Sequence, residues 1–127
     1  MKKVCEPDRC VNLAGLTRID EAIDLLAYAN AVVSNDSGLM HVAAASGTPV
    51  VGIFGASSEY HTPPLGDLTS TVSQQLSCRP CFSRQCPLGH RNCLETLSPD
   101  VVIASLSTLL AKPPAEPADI INIDHPG

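Results

Sequence analysis

The stretch that decides the fold is residues 31–55, AVVSNDSGLMHVAAASGTPVVGIFG. It begins with a short apolar run, passes through a polar turn that contains glycine, and continues into an alanine-rich segment over residues 37–46. Gly47 stands where helices commonly end, and a second apolar run follows over residues 48–55. A strand, a helix and a strand with such brief connections indicate a parallel βαβ unit.

A second helix is predicted just before this stretch, over residues 17–30. Thr17 is the expected cap, and acidic residues in the first turn favour the positive end of the helix. The apolar side chains recur at helical spacing and predict one buried face. That face consists of Ile19, Ala22, Ile23, Leu26 and Ala27.

Further short elements continue the alternation of strand and helix. Residues 11–15, VNLAG, are a candidate strand, and residues 70–74, STVSQ, are another. Residues 98–111 predict a helix capped by Ser98. The predicted fold class is therefore α/β, with a Rossmann-like parallel sheet and flanking helices.

Length and charge restrict the range of functions. The 127 residues suit one domain, and a net charge of −5 argues against nucleic acid or an anionic membrane as the main partner. No apolar run approaches the roughly 20 residues that a membrane-spanning helix needs. The N-terminus, MKKVCEPDRC, lacks the apolar core of a signal peptide, so a cytoplasmic location is predicted.

The polar turn before the alanine-rich helix is a candidate anion site. In parallel sheets ligands bind beyond the carboxyl ends of strands, where helix N-termini offer unpaired N–H groups and partial positive charge. Gly38 would admit a phosphate to the backbone, Ser37 would add a hydroxyl, and His41 would lie one turn on. The alternative is structural: Asp36 or Ser37 merely caps the helix, and His41 is half-buried with its own partner.

The same residues carry a family resemblance. Asp36, Ser37, Gly38 and His41 match the pattern Asp-Ser/Thr-Gly-x-x-His after a strand. The segment resembles the donor-binding segment of the bacterial lipopolysaccharide heptosyltransferases, glycosyltransferase family 9, and in particular the branch that adds the second heptose. The resemblance extends over about residues 10–112.

The resemblance implies one half of a two-domain enzyme of the GT-B architecture. The chain is similar to the C-terminal, donor-binding half, in which Ser37, Gly38 and Leu39 would contact the diphosphate of ADP-heptose. His41 would lie near the phosphates or the heptose, and Asp36 would fix the turn. The implied reaction transfers heptose from ADP-heptose to a lipopolysaccharide core acceptor.

The resemblance also implies missing parts. The catalytic carboxylate and the acceptor site would lie in an N-terminal half, so no catalytic residue is assigned here and transfer by this chain alone is not expected. We predict a donor-binding domain over residues 1–112 and a proline-rich tail over residues 113–127. Self-association through an exposed domain interface is expected, and a full-length enzyme would associate peripherally with the inner membrane. The alternatives are a nucleotide- or phosphate-binding interaction module and an inactive remnant.

A cysteine-rich loop over residues 77–93 contains the spacing C-x2-C-x4-C-x6-C, with His90 in the last interval. Three interpretations stay open: a structural zinc or iron site, free thiols in a loop shaped by proline and glycine, and disulfides. No cofactor is expected for catalysis itself. The candidate metal ligands are Cys78, Cys81, Cys86 and Cys93.

The basic residues in and near this loop either contact a ligand or are exposed to solvent. Arg79, Arg84 and Arg91 would contact the phosphates or acidic sugars of an acceptor, or they are solvated, and we predict that they are solvated. His61 follows the strand at residues 48–55 and is predicted to be an exposed loop residue, although the loop could also approach the donor.

Overall fold

The computed structural model describes residues 8–111. The predicted tail over residues 113–127 lies outside these residues, as does Cys5. The described chain contains four helices and three strands. In chain order they are α1 (Ile19–Tyr28), β1 (Val32–Asn35), α2 (Gly38–Ala45), β2 (Val50–Phe54), β3 (Thr69–Ser73), α3 (Asn92–Glu95) and α4 (Pro99–Leu110).

The three strands form one parallel sheet in the order β1-β2-β3. Val33 of β1 is paired with Val51 of β2, and Val51 is paired with Ser70 of β3. The predicted α/β class with a parallel sheet and flanking helices is confirmed. Because all strands run the same way, they end at one side of the sheet, which we call the carboxyl edge.

Two cores lie on opposite faces of the sheet because β2 alternates its side chains between them. Val50 and Phe54 pack with α2 on one face, where Leu26 of α1 joins them. Val51 packs on the other face against α4. The first core contains the buried residues Met40, Ala43, Ala44, Val50 and Phe54; the second contains Val51, Val72 and Leu109.

Helix α1 differs from its prediction at its start and in its burial. Arg18, not Thr17, precedes the first helical residue, and its backbone N–H donates to Glu21 Oε2 at 2.9 Å. No residue of α1 is buried, and Ile19 is 68% exposed. The predicted apolar face is therefore only partly covered by the described chain, with Leu26 as its contact with the core.

The strand predicted over residues 11–15 is wrong. The backbone N–H of Ala14 donates to Asn12 Oδ1 at 3.0 Å, and Leu16 N–H donates to the carbonyl of Leu13 at 3.0 Å. Gly15 has a φ of +76°, which the left-handed region allows for glycine. These local bonds fold the segment into turns that cannot join a sheet ladder.

The other predicted elements are confirmed to within one or two residues at each end. Gly47, with a φ of +79°, follows the last turn of α2, and the Ser98 side chain accepts the N–H of Asp100 at the start of α4. The short helix α3 was not predicted, because four residues between Arg91 and Thr96 carry no readable periodicity.

Among residues 8–111, no helix combines the length and the apolar character that crossing a membrane would require.

Candidate functional site

The glycine turn, residues 35–38, leaves the carboxyl end of β1 and enters α2. The N–H of Asp36 donates to the carbonyl of Ile53 on β2 at 3.2 Å, which ties the turn to the sheet. Ser37 precedes the helix in an extended conformation, but its side chain caps no helix N–H and lies 3.4 Å from the hydroxyl of Ser34. Ser37 therefore leaves the first N–H groups of α2 open to an external partner.

The first turn of α2 is exposed on the side opposite its core contact. A Cβ added at Gly38 would meet nothing within 4 Å, so the approach to the backbone is open. Leu39 and His41 are exposed, while Met40 between them is fully buried and anchors the helix. The half-buried alternative for His41 is wrong, and its side chain is accessible to a ligand.

The cysteine-rich loop encloses a cavity of about 330 Å³ at the carboxyl edge. Two backbone bonds place the loop there: the N–H groups of Cys81 and Phe82 both donate to the carbonyl of Ala56, at 3.0 and 2.9 Å. Ala56 lies two residues after the end of β2 and itself lines the cavity. The lining includes the four cysteines of the motif, Cys78, Cys81, Cys86 and Cys93.

Lining one cavity does not make these thiols a metal site. The cysteines of the described chain are free, and residues 8–111 contain no group of three or more His, Cys, Asp or Glu arranged to hold a metal ion. As placed, the residues do not fit zinc or iron. The metal hypothesis stays a prediction, which elemental analysis of protein purified without added metal tests; zinc plus iron far below one equivalent per chain would end it.

The Cys86 thiol lies among backbone donors. The N–H of Arg91 lies 3.4 Å from Cys86 Sγ, and this bond is the main cause that lowers the pKa of the thiol. Backbone N–H groups of Leu88, His90 and Gly89 act in the same direction, against partial desolvation. These N–H groups therefore favour the charged form of the Cys86 thiol over its neutral form.

The Arg79 side chain is largely buried, so its predicted solvated state is wrong. Its side chain is 9% exposed. Its Nε donates to the Gly55 carbonyl at 2.6 Å and its Nη1 to the Gln74 carbonyl at 3.0 Å. Its Nη2 donates to the Ser57 carbonyl at 3.0 Å and to Glu59 Oε2 at 3.1 Å. One guanidinium thus joins the cysteine loop to the segments that follow β2 and β3.

Glu59 completes this arrangement. It is 16% exposed and accepts the Ser73 hydroxyl at 2.7 Å through Oε1 while it pairs with Arg79 through Oε2. Burial alone would raise the pKa of this carboxyl, but hydrogen bonds from its own backbone, Ser73 and Arg79, together with the charge of Arg79, lower it overall. The sequence carried no local signal for this pair, whose members are 20 residues apart.

The lowered pKa of Glu59 predicts an acid-sensitive stability. Its folded pKa lies below the ordinary 4.5, so its contribution is complete above that value and is lost as the pH falls through the folded pKa. We expect Glu59→Gln to flatten the acid limb of the free energy of unfolding, measured by urea denaturation between about pH 7 and 3. Glu95→Gln, which removes an exposed carboxylate, is the control. Parallel curves for wild type and Glu59→Gln would contradict the assignment.

Arg84, Arg91 and His61 are exposed, as predicted. Arg84 is exposed, and Arg91 pairs with Glu95 at 2.7 Å with both side chains more than half exposed. His61 is exposed and meets the ring of Phe82 edge-on, with centroids 5.5 Å apart.

The chain has relatives of known class. Residues 1–91 match the model of glycosyltransferase family 9 (heptosyltransferase). The chain is 41% identical to lipooligosaccharide heptosyltransferase 2 of Haemophilus influenzae, over 81% of this chain and 30% of that protein. It is 39% identical to lipopolysaccharide heptosyltransferase 2 of Escherichia coli K12, over 80% of this chain and 29% of that protein.

A solved structure agrees with these sequence matches. The fold matches that of E. coli ADP-heptose lps heptosyltransferase II with a TM-score of 0.63 and 38% identity, over 78% of this chain and 27% of that one. The Rossmann-like parallel sheet is thus that of a GT-B enzyme. The chain spans about 30% of the length of the curated relatives it matches. On the family match and these identities, the chain belongs to glycosyltransferase family 9, the heptosyltransferases.

Proposed function

We propose that the chain is the donor-binding portion of a lipopolysaccharide heptosyltransferase and that its glycine turn binds the diphosphate of ADP-heptose. One observation carries this proposal: in a family 9 chain, the Asp-Ser-Gly-x-x-His motif opens α2 at the carboxyl edge without a side-chain cap from Ser37. The open N–H groups and the accessible backbone at Gly38 suit a phosphate.

The chemistry follows from the helix terminus. Aligned peptide dipoles place about half a positive charge there, which stabilises the diphosphate both when bound and when it leaves the heptose. The N–H groups of Gly38 and Leu39 and the Ser37 hydroxyl would hold its oxygens, Asp36 would fix the turn through its bond to Ile53, and His41 would add a donor. We assign no catalytic residue, and we propose that transfer to a lipopolysaccharide acceptor needs the remaining portion found in the relatives.

Gly38→Val tests this site with little risk to the fold. The added side chain enters open space and should occupy the approach to the helix N–H groups. We expect the affinity for ADP and ADP-heptose, measured by calorimetry, to fall about tenfold or more, equivalent to one charge-assisted hydrogen bond. Ala45→Val, at an exposed position at the other end of α2, is the matched control and should leave affinity unchanged.

Three other results would weigh against the proposal. No binding of ADP by the wild-type chain at millimolar concentration would favour an inactive remnant. A clear preference for another nucleotide would favour an interaction module. Release of ADP from ADP-heptose and acceptor by the purified chain alone, above the blank, would contradict the need for a second portion.

The proposal extends to location and assembly. We propose a cytoplasmic enzyme whose full-length form associates peripherally with the inner membrane, and a donor domain that self-associates when isolated. Exposed apolar side chains support self-association: Val33 on β1 is 46% exposed and Ile103 on α4 is 58% exposed. Light scattering tests this, and a clean monomer at high concentration would contradict it.

A further inference from the structure

The cavity enclosed by the cysteine-rich loop is electrostatically unlike the rest of the chain. Its lining includes Arg79, Arg84 and Arg91, three of the five arginines among residues 8–111, and also His90. None of the nine carboxylates in the same residues lines it. In a protein of net charge −5, this separation creates a local positive potential that attracts anions.

The three arginines of the cavity differ in how many of their donors already bond to other residues of the protein. Arg79 is committed to Glu59 and to three backbone carbonyls, so it contributes fixed charge at the cavity wall but has few donors left for a ligand. Arg84 makes no hydrogen bond or ion pair with any residue from 8 to 111. Arg91 pairs with Glu95, but both side chains are exposed, and such pairs contribute little and exchange readily.

His90 adds a neutral donor to the cavity lining. The backbone N–H of Asn92 donates to His90 Nδ1 at 3.0 Å, so neutral His90 carries its proton on Nε2. A half-buried imidazole with its acceptor already occupied can donate a hydrogen bond to an oxyanion through the other nitrogen. Together with Arg84 and Arg91, it gives three side-chain donors around one space.

From these observations we propose that this cavity is a second anion site, separate from the glycine turn, and that it binds a small phosphate-bearing ligand such as a sugar phosphate. A cavity of about 330 Å³ lies near the lower end of the ~300–1,000 Å³ found for small-molecule sites, which suits a small ligand. Ala56 in its wall lies two residues after the end of β2, so the cavity lies at the carboxyl edge, where α/β sheets place their ligands.

The test is a titration of the isotope-labelled chain, followed by NMR, with glucose 6-phosphate, inorganic phosphate and glucose. We expect glucose 6-phosphate to shift amide signals of residues 84–94 in a saturable way, and glucose to cause no shift. The variant Arg84→Gln/Arg91→Gln should bind about tenfold more weakly or worse, because it loses two charge-assisted donors. Arg9→Gln/Arg18→Gln removes the same charge at exposed positions elsewhere and should bind within about twofold of wild type.

The outcomes distinguish the source of the phosphate and separate this site from the proposed donor site. Tighter binding of glucose 6-phosphate than of inorganic phosphate would support a sugar phosphate, and equal binding would support free phosphate as the ligand. Equal losses in the two double variants, or no saturable shift in residues 84–94, would overturn the proposal. Gly38→Val should leave this titration unchanged, so failure of ADP binding at the glycine turn and failure here remain distinguishable.

Discussion

Replacement of Arg79 with alanine should lower the free energy of unfolding by about 2–4 kcal/mol, somewhat less than the cost of breaking a fully buried ion pair from one side. The change leaves the Glu59 carboxylate, 16% exposed, with only a hydroxyl as its side-chain partner. It also removes the donor from the carbonyls of Gly55, Ser57 and Gln74. Loss of the ion pair and loss of each hydrogen bond would each lower stability, and removal of the Arg79 side chain removes all of them together.

Urea denaturation at neutral pH measures this effect, and the same loop supplies the control. Arg84→Ala removes the same charge at an exposed position and should change stability by no more than about 0.5 kcal/mol. The loss of stability in Arg79→Lys should lie between those of the two alanine variants, because one ammonium group keeps the charge but cannot reproduce the planar fork of a guanidinium. A loss of stability in Arg79→Ala no larger than in Arg84→Ala would show that the pair with Glu59 does not support the fold. If Arg79→Ala fails to fold, Arg79→Lys supplies the comparison.

Arg79 also positions a segment that lines the cavity of the cysteine-rich loop. Its hydrogen bonds fix the segment after β2, at Gly55 and Ser57, and the end of β3, at Gln74. These segments meet at the carboxyl edge, and Ala56 between them lines the cavity of the cysteine loop. We therefore expect Arg79→Lys to weaken ligand binding in that cavity more than Arg84→Lys, which keeps the charge and disturbs no backbone contact.

The elements predicted well from sequence are those whose signals are local. The strands β1 and β2 are short apolar runs, and α2 between them ends at Gly47, whose positive φ suits glycine at a helix end. The candidate strand over residues 11–15 failed for an equally local reason, since Asn12 bonds its own backbone two residues on. In the sequence alone, two apolar residues in a strand cannot be distinguished from two apolar residues in a turn, because the hydrogen bond of Asn12 is not visible there.

Features that depend on distant partners could not be predicted in this way. Arg79 looks solvated in a loop sequence, and its burial follows only when Glu59 and the ends of two strands are brought together. The same limit applies to α1, where periodicity marks an apolar face but not how much of it neighbouring residues cover. Ile23 lies on that face and remains 36% exposed.

Gly52 in the middle of β2 should not tolerate a side chain. A Cβ at this position would lie 2.8 Å from Met40 Sδ and 3.1 Å from Phe54 Cε2. Both neighbours are fully buried in the core between the sheet and α2, so neither can turn toward solvent. We expect Gly52→Ala to cost about 1–3 kcal/mol of the free energy of unfolding, the range for overpacking a core.

Gly55→Ala separates this packing effect from the general effect of adding a methyl group to a buried glycine. A Cβ at Gly55 would also meet a side chain, Leu94 at 2.9 Å, but Leu94 is 53% exposed and can move away. Gly55→Ala should therefore cost less than about 1 kcal/mol. In a Met40→Ala background, where the sulfur is gone, Gly52→Ala should lose much of its cost, because residues in contact couple in a double-mutant cycle. If Gly52→Ala costs the same with and without Met40, the clash with this side chain is not what excludes a Cβ from the strand.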